Sequence, residues 1–178
     1  MNRTRRCALV LVAALSLVGV AQQSAPSRPN LTGVWTAIPD PSPPPPRKPD
    51  DLIVILDWSP VTLTQTATTL TVEYQTNSRS HARRRFVYNL DGSETANVLA
   101  GAIDPMGRTS TAIWNGQTLV LTDTVDWPDR TTGTTTKHQD RKALTLESAD
   151  VLRVEATLVV GDRTSSPKVV RYKRAPSR

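Results

Sequence analysis

A chain of 178 residues, 38% of them hydrophobic, is long enough for one domain with a sizeable core. Its net charge of +6 is mild, and with only 4% aromatic residues it offers few platforms for base stacking, which argues against nucleic acid as a partner. A single cysteine, Cys7, and two histidines, His81 and His138, exclude a disulfide framework and a thiolate metal site.

The first segment follows export chemistry. Arg3, Arg5 and Arg6 form a basic head, Cys7 to Val20 is almost wholly apolar, and Gly19-Val20-Ala21 supplies small residues at the cleavage positions. Residues 1–21 therefore read as a signal peptide and the protein as exported, periplasmic or extracellular. The apolar run is shorter than the ~20 residues of a membrane span, and no later stretch qualifies, so no transmembrane segment is expected in the mature chain. Thr4-Arg5-Arg6-Cys7 partly matches a twin-arginine signal, which leaves that route open beside the Sec route. Losing three arginines with the leader lowers the net charge from +6 to +3.

Residues 22–29, polar and proline-containing, read as a disordered spacer, and residues 30–175 as the folded body. That body starts at Leu31-Thr32-Gly33-Val34-Trp35. Glycine, without a Cβ, lets a large ring or another backbone approach closely, and an indole two residues on shares its strand face. Residues 39–49 hold a proline-rich loop that can be neither helix nor sheet. It is either a stiff lid over a barrel mouth or a long surface connection.

From Leu52 onward the signal is alternation. Leu70, Val72 and Tyr74 share one face, as do Phe86, Tyr88 and Leu90, then Leu119 and Leu121. The longest stripe is Leu152, Val154, Ala156, Leu158 and Val160. Asp91-Gly92 and Asn115-Gly116 stand between alternating runs as hairpin signals. No segment of the mature chain has a helical period. Consecutive hairpins with one apolar face leave exposed edges unless the sheet closes. The expected fold is all-β, an antiparallel up-and-down meander barrel of about eight to ten strands.

Leu31-Thr32-Gly33-Val34-Trp35 resembles the first-strand signature of the calycin superfamily, the lipocalins, fatty-acid-binding proteins and avidins. The resemblance implies a lipocalin-like barrel closed at one end by Gly33 and Trp35 under a basic side chain of the last strand. Arg171, in Val169-Val170-Arg171-Tyr172-Lys173, matches that role, and such a cation over an indole is worth ~0.5–2 kcal/mol. Tyr88-Asn89-Leu90-Asp91-Gly92-Ser93-Glu94 and Trp114-Asn115-Gly116-Gln117-Thr118-Leu119-Val120 further resemble hairpins of exported bacterial lipocalin-like proteins. Asn115 stands where those carry aspartate.

Catalytic chemistry finds no footing. No Gly-x-Ser-x-Gly elbow or glycine-rich phosphate loop occurs, and the two histidines lie too far apart to suggest a metal. Asp123, Asp126 and Asp129 are close in sequence, but strand alternation turns Asp123 and Asp126 to opposite faces, so they read as a solvated strand end. The expectation is a non-enzymatic barrel without a cofactor that binds a small hydrophobic molecule, lined by Tyr74, Phe86, Tyr88, Trp114 and Trp127. The alternative is an interaction module of the cell envelope. It would use the proline-rich loop and the cluster Arg79, Arg83, Arg84 and Arg85, read as a patch for an anionic envelope component or as a solvated hairpin end.

Overall fold

The computed structural model describes residues 28–42, 51–56, 58–76, 82–98, 107–128 and 132–176. The leader, most of the spacer, most of the proline-rich loop and Arg79 lie outside them. Eleven strands run in chain order: β1 (Gly33–Ala37), β2 (Val61–Gln65), β3 (Thr69–Gln75), β4 (Arg83–Asn89), β5 (Thr95–Val98), β6 (Gly107–Asn115), β7 (Thr118–Pro128), β8 (Thr135–Ser148), β9 (Val151–Val160), β10 (Arg163–Thr164) and β11 (Lys168–Arg174). No helix occurs among the described residues.

The pairing follows from alternation. Each strand turns every second side chain inward, and apolar inward rows are buried only if the sheet wraps on itself. All pairings are antiparallel, in the order β4-β3-β2-β1-β11-β9-β8-β7-β6-β5, with the short β10 folded back on β9. Because β1 pairs β11, sequence neighbours are spatial neighbours around the ring, and only the β4–β5 junction lacks a backbone ladder. The barrel is thus an antiparallel meander of ten strands, nearly closed.

That junction falls at Leu90-Asp91-Gly92-Ser93, where Asp-Gly predicts a hairpin. Gly92 does take a positive φ of 87°, but the turn spends its bonds on side chains. The Asp91 carboxylate accepts from Ser93 N and Oγ at 2.9 and 2.7 Å, and Asn89 Nδ2 donates to Ser93 Oγ at 2.9 Å. The strands on either side lie against each other without pairing. One carboxamide bridges them: Val87 N donates to Asn97 Oδ1 at 2.9 Å, and Asn97 Nδ2 donates to Val87 O at 2.8 Å. A single side chain on β5 thereby satisfies both backbone groups that Val87 turns toward the seam. At the other glycine turn the hairpin forms, with Asn115 paired to Thr118, so its central residues are Gly116 and Gln117.

Register assigns the two ends. Gly33, Arg174, Leu70, Trp114 and Thr118 gather at one end, and Tyr74, Gly107, Val125, His138 and Leu158 at the other. At the first end Trp35 is fully buried, and its indole donates Nε1–H to Leu31 O at 3.0 Å. The cation over it is Arg174, with Cζ 4.5 Å from the ring centroid, and not Arg171. The reason is parity: Arg174 faces Trp35 across the β1–β11 pair, whereas Arg171, on the outward face, pairs with Glu147 at 2.8 Å. Gly33 is required here, since a Cβ would meet Arg174 Cγ at 3.3 Å and the backbone holds φ at +155°. The spacer ends earlier than expected: Pro29 O accepts from Gln65 Nε2 at 3.2 Å, and the Arg28 guanidinium lies 5.8 Å from the Trp114 ring.

Leu52 does not open a strand. Asp51–Leu56 runs as irregular chain across the second end, tied by Ser166 N to Asp51 Oδ1 at 3.1 Å, and it leads to Trp58, buried to 3% exposure. Asn97→Ala should lower stability by about 1–3 kcal/mol in urea unfolding and speed amide exchange at Val87; unchanged exchange there would show that the seam is held elsewhere.

Candidate functional site

Strand register stacks the inward side chains of β6, β7 and β8 into rows. Ala112, Leu121 and Lys142 form one; Ser110, Asp123 and Asp140 the next; Val125 and His138, with Arg108 beside Val125, the one nearest the second end. Three successive inward positions of β8 are therefore polar, in the middle of the barrel wall.

Asp123 lies at the centre, 3% exposed. Ser110 Oγ donates to its Oδ1 at 2.6 Å, Tyr88 Oη stands 3.1 Å from both carboxylate oxygens and shares one proton between them, and Lys142 Nζ is 3.5 Å from Oδ2. Lys142, itself buried, is held more closely by Asp140 Oδ2 at 2.6 Å, and its ammonium lies 5.7 Å from the Trp58 ring. A buried carboxylate without partners would cost several kcal/mol, so this ring of donors is the condition for its presence. Burial first, and the Asp123 charge next, push the Tyr88 phenol well above its usual value, which keeps it a donor.

Above this floor opens a cavity of about 270 Å³ lined by Ile53, Val54, Ile55, Arg108, Asp123, Val125, Trp127, His138, Asp140 and Leu158. The irregular segment before Trp58 is its roof, with Ile53 and Ile55 still 59% and 71% exposed. Trp127 stacks on His138 with centroids 5.6 Å apart and forms part of the rim. The walls are apolar and the floor is charged.

The residues expected from sequence to line a pocket part company here. Trp127 lines the cavity. Tyr88 reaches its floor only through Asp123. Phe86 lies beneath the Arg108 guanidinium at 5.8 Å, and Tyr74 sits in the aromatic row between Trp58 and Phe86, at 6.0 and 6.2 Å. Trp114 is at the opposite end under Arg28, because its register partner is Leu119 and not a residue of the mouth. Asp123 is no solvated strand end; Asp126, on the outer face, is exposed. The arginine cluster is split by the pleat: Arg83 and Arg85 face out, Arg85 pairing with Glu73 at 3.3 Å, while half-buried Arg84 shares the face of Phe86. Among the described residues no group of three or more His, Cys, Asp or Glu side chains is arranged to hold a metal ion.

Sequence reasoning passes over Arg108, Ser110, Asp140, Lys142 and Trp58. The one available signal is an interruption, a stretch of strand propensity at Thr134-Thr135-Thr136 that runs into charged residues instead of an apolar stripe. Compared with protein-family models, with curated proteins and with solved structures, the chain matches none.

Lys142→Met should destabilise the fold by about 3–5 kcal/mol in urea unfolding, since buried Asp123 and half-buried Asp140 then lack their counter-ion, and adding Asp123→Asn should restore part of the loss. For Tyr88 the folded-state value is raised, so its contribution is complete below the unfolded value near 10 and fades as pH climbs toward the folded one. Unfolding measured from pH 9 to 12 should show a steeper alkaline loss of stability in the wild type than in Tyr88→Phe; equal slopes would contradict it.

Proposed function

We propose that this protein is an exported, lipocalin-like barrel that binds a small, mainly apolar molecule in the cavity at its second end. The observation that carries the reading is the composition of that cavity. Apolar walls from Val125, Trp127 and Leu158 meet a few convergent polar groups at the floor, the arrangement that recognises an amphipathic ligand. The volume of about 270 Å³ falls just below the roughly 300–1,000 Å³ typical of sites for drug-sized molecules, so the ligand is compact.

Binding is favoured over catalysis because Asp123 is already engaged by Tyr88, Ser110 and Lys142. Its oxygens are occupied by structural partners, and Ser110 donates to a carboxylate instead of to a histidine. Burial of Trp35 beneath a cation of the last strand supports kinship with the calycins, with Arg174 in the role the resemblance gave to Arg171. The export reading rests on the leader-like segment at residues 1–21.

The test uses a neutral dye, N-phenyl-1-naphthylamine, whose fluorescence rises in apolar surroundings. Wild-type protein should bind it saturably, and Leu158→Trp, which fills the cavity, should weaken binding at least tenfold, about 1.4 kcal/mol. Failure of the folded wild type to bind the dye and related apolar probes would remove the proposal.

A further inference from the structure

The charges around the cavity do not cancel locally, and their placement selects a ligand class. Resting on the reading of the barrel as a ligand binder, we propose that the cavity takes a small zwitterion: an ammonium and a carboxylate carried on one apolar body, as in a free amino acid with an aliphatic or aromatic side chain.

The negative pole is Asp140. One ammonium, Lys142, stands between two carboxylates, so one negative charge is left over. Asp123 is enclosed by Tyr88, Ser110 and Lys142, whereas Asp140 is held through Oδ2 alone and its side chain, 26% exposed, lines the cavity. Its second oxygen is the acceptor within reach of a ligand.

The positive pole is Arg108 on β6. It lines the same cavity, no described carboxylate lies within ion-pairing distance of it, and its buried Nε has no hydrogen-bond partner. One row deeper on β5, the Thr95 hydroxyl is also buried without a partner. A buried guanidinium N–H without an acceptor is costly, and inside the cavity a ligand carboxylate could supply that acceptor.

Strand β7 separates the poles. Neighbouring strands lie about 4.8 Å apart, so the backbones of β6 and β8 are roughly 10 Å apart, with Val125 between them. The Arg108 guanidinium lies over Phe86 of β4 and Asp140 is held by Lys142 of β8, so the two charges line one cavity without pairing with each other. An anion alone would bring negative charge beside Asp140, a cation alone would leave Arg108 uncompensated, and a purely apolar molecule would strip water from both. A zwitterion answers both poles and leaves the cavity neutral, its apolar part against Trp127 and Leu158. The planar guanidinium suits a carboxylate through two parallel N–H bonds.

The test is isothermal titration calorimetry of the full chain with phenylalanine, 3-phenylpropanoate, which lacks the ammonium, and 2-phenylethylamine, which lacks the carboxylate. Phenylalanine should bind at least tenfold more tightly than either analogue. Arg108→Met should reduce it to the level of the amine, and Asp140→Asn to the level of the carboxylate. Arg108→Lys, which keeps the charge and loses the fork, should retain a weaker preference and serves if the methionine variant does not fold. A single-charge analogue binding as well as phenylalanine would overturn the proposal, as would affinity for phenylalanine unmoved by the folded variants. Binding of the neutral dye with none of the three ligands would reject the zwitterion while leaving the ligand-binding reading intact; absence of both would remove the two together.

Discussion

A sheet that wraps into a barrel has to resolve its last junction, and here the whole interior depends on how that is done. Nine junctions around the ring, β1 with β11 included, are backbone ladders. The tenth is bridged by the Asn97 carboxamide, which copies the donor and acceptor of a peptide group against Val87. An amide side chain can do this because its donor and acceptor match those of the peptide group it meets. Asn97 pairs in register with Arg108, so the seam and the cavity wall are the same place in the fold.

The two ends of the ring are closed by different physics. At one end an indole is buried under Arg174, whose guanidinium also donates to Thr32 O at 2.7 Å and Asn30 O at 3.2 Å, tying the last strand to the entry of the first. That end is filled and apolar, with Leu31 and Leu70 fully buried beside it. At the other, Trp58 packs on Tyr74 and faces the Lys142 ammonium, and the buried charges beneath prevent a purely hydrocarbon filling. The cavity exists because polar side chains occupy positions where an ordinary core would place leucine.

Much of the fold was legible in the chain. Period-two alternation located β3, β4, β7 and β9, and the Asn115-Gly116 signal located the hairpin between β6 and β7, with the turn centred one residue later than expected. The same reasoning misplaced what depends on parity and closure. Arg171 and Arg174 are both last-strand cations, and only cross-strand register tells which one faces Trp35. Asp91-Gly92 turned the chain as expected yet marks the one junction without a ladder, because its side chains hold the turn themselves. Most instructive is β8, the longest strand, which carries no apolar stripe over Thr135 to Arg141. The residues that build the site replace those that would have announced the strand.

The amino-acid sequence by itself determined the all-β class, the meander and the absence of a thiol from the body of the protein, since these follow from local periodicity, turn chemistry and composition. Only the tertiary structure decided that Tyr88, Ser110, Asp123 and Lys142 meet, that Arg108 and Asp140 line one cavity from adjacent rows, and that the chain before Trp58 roofs the cavity. Alternation says that a side chain lies on one of two faces. Which residues converge there depends on the register between strands far apart in the chain, and that is set when the ring closes.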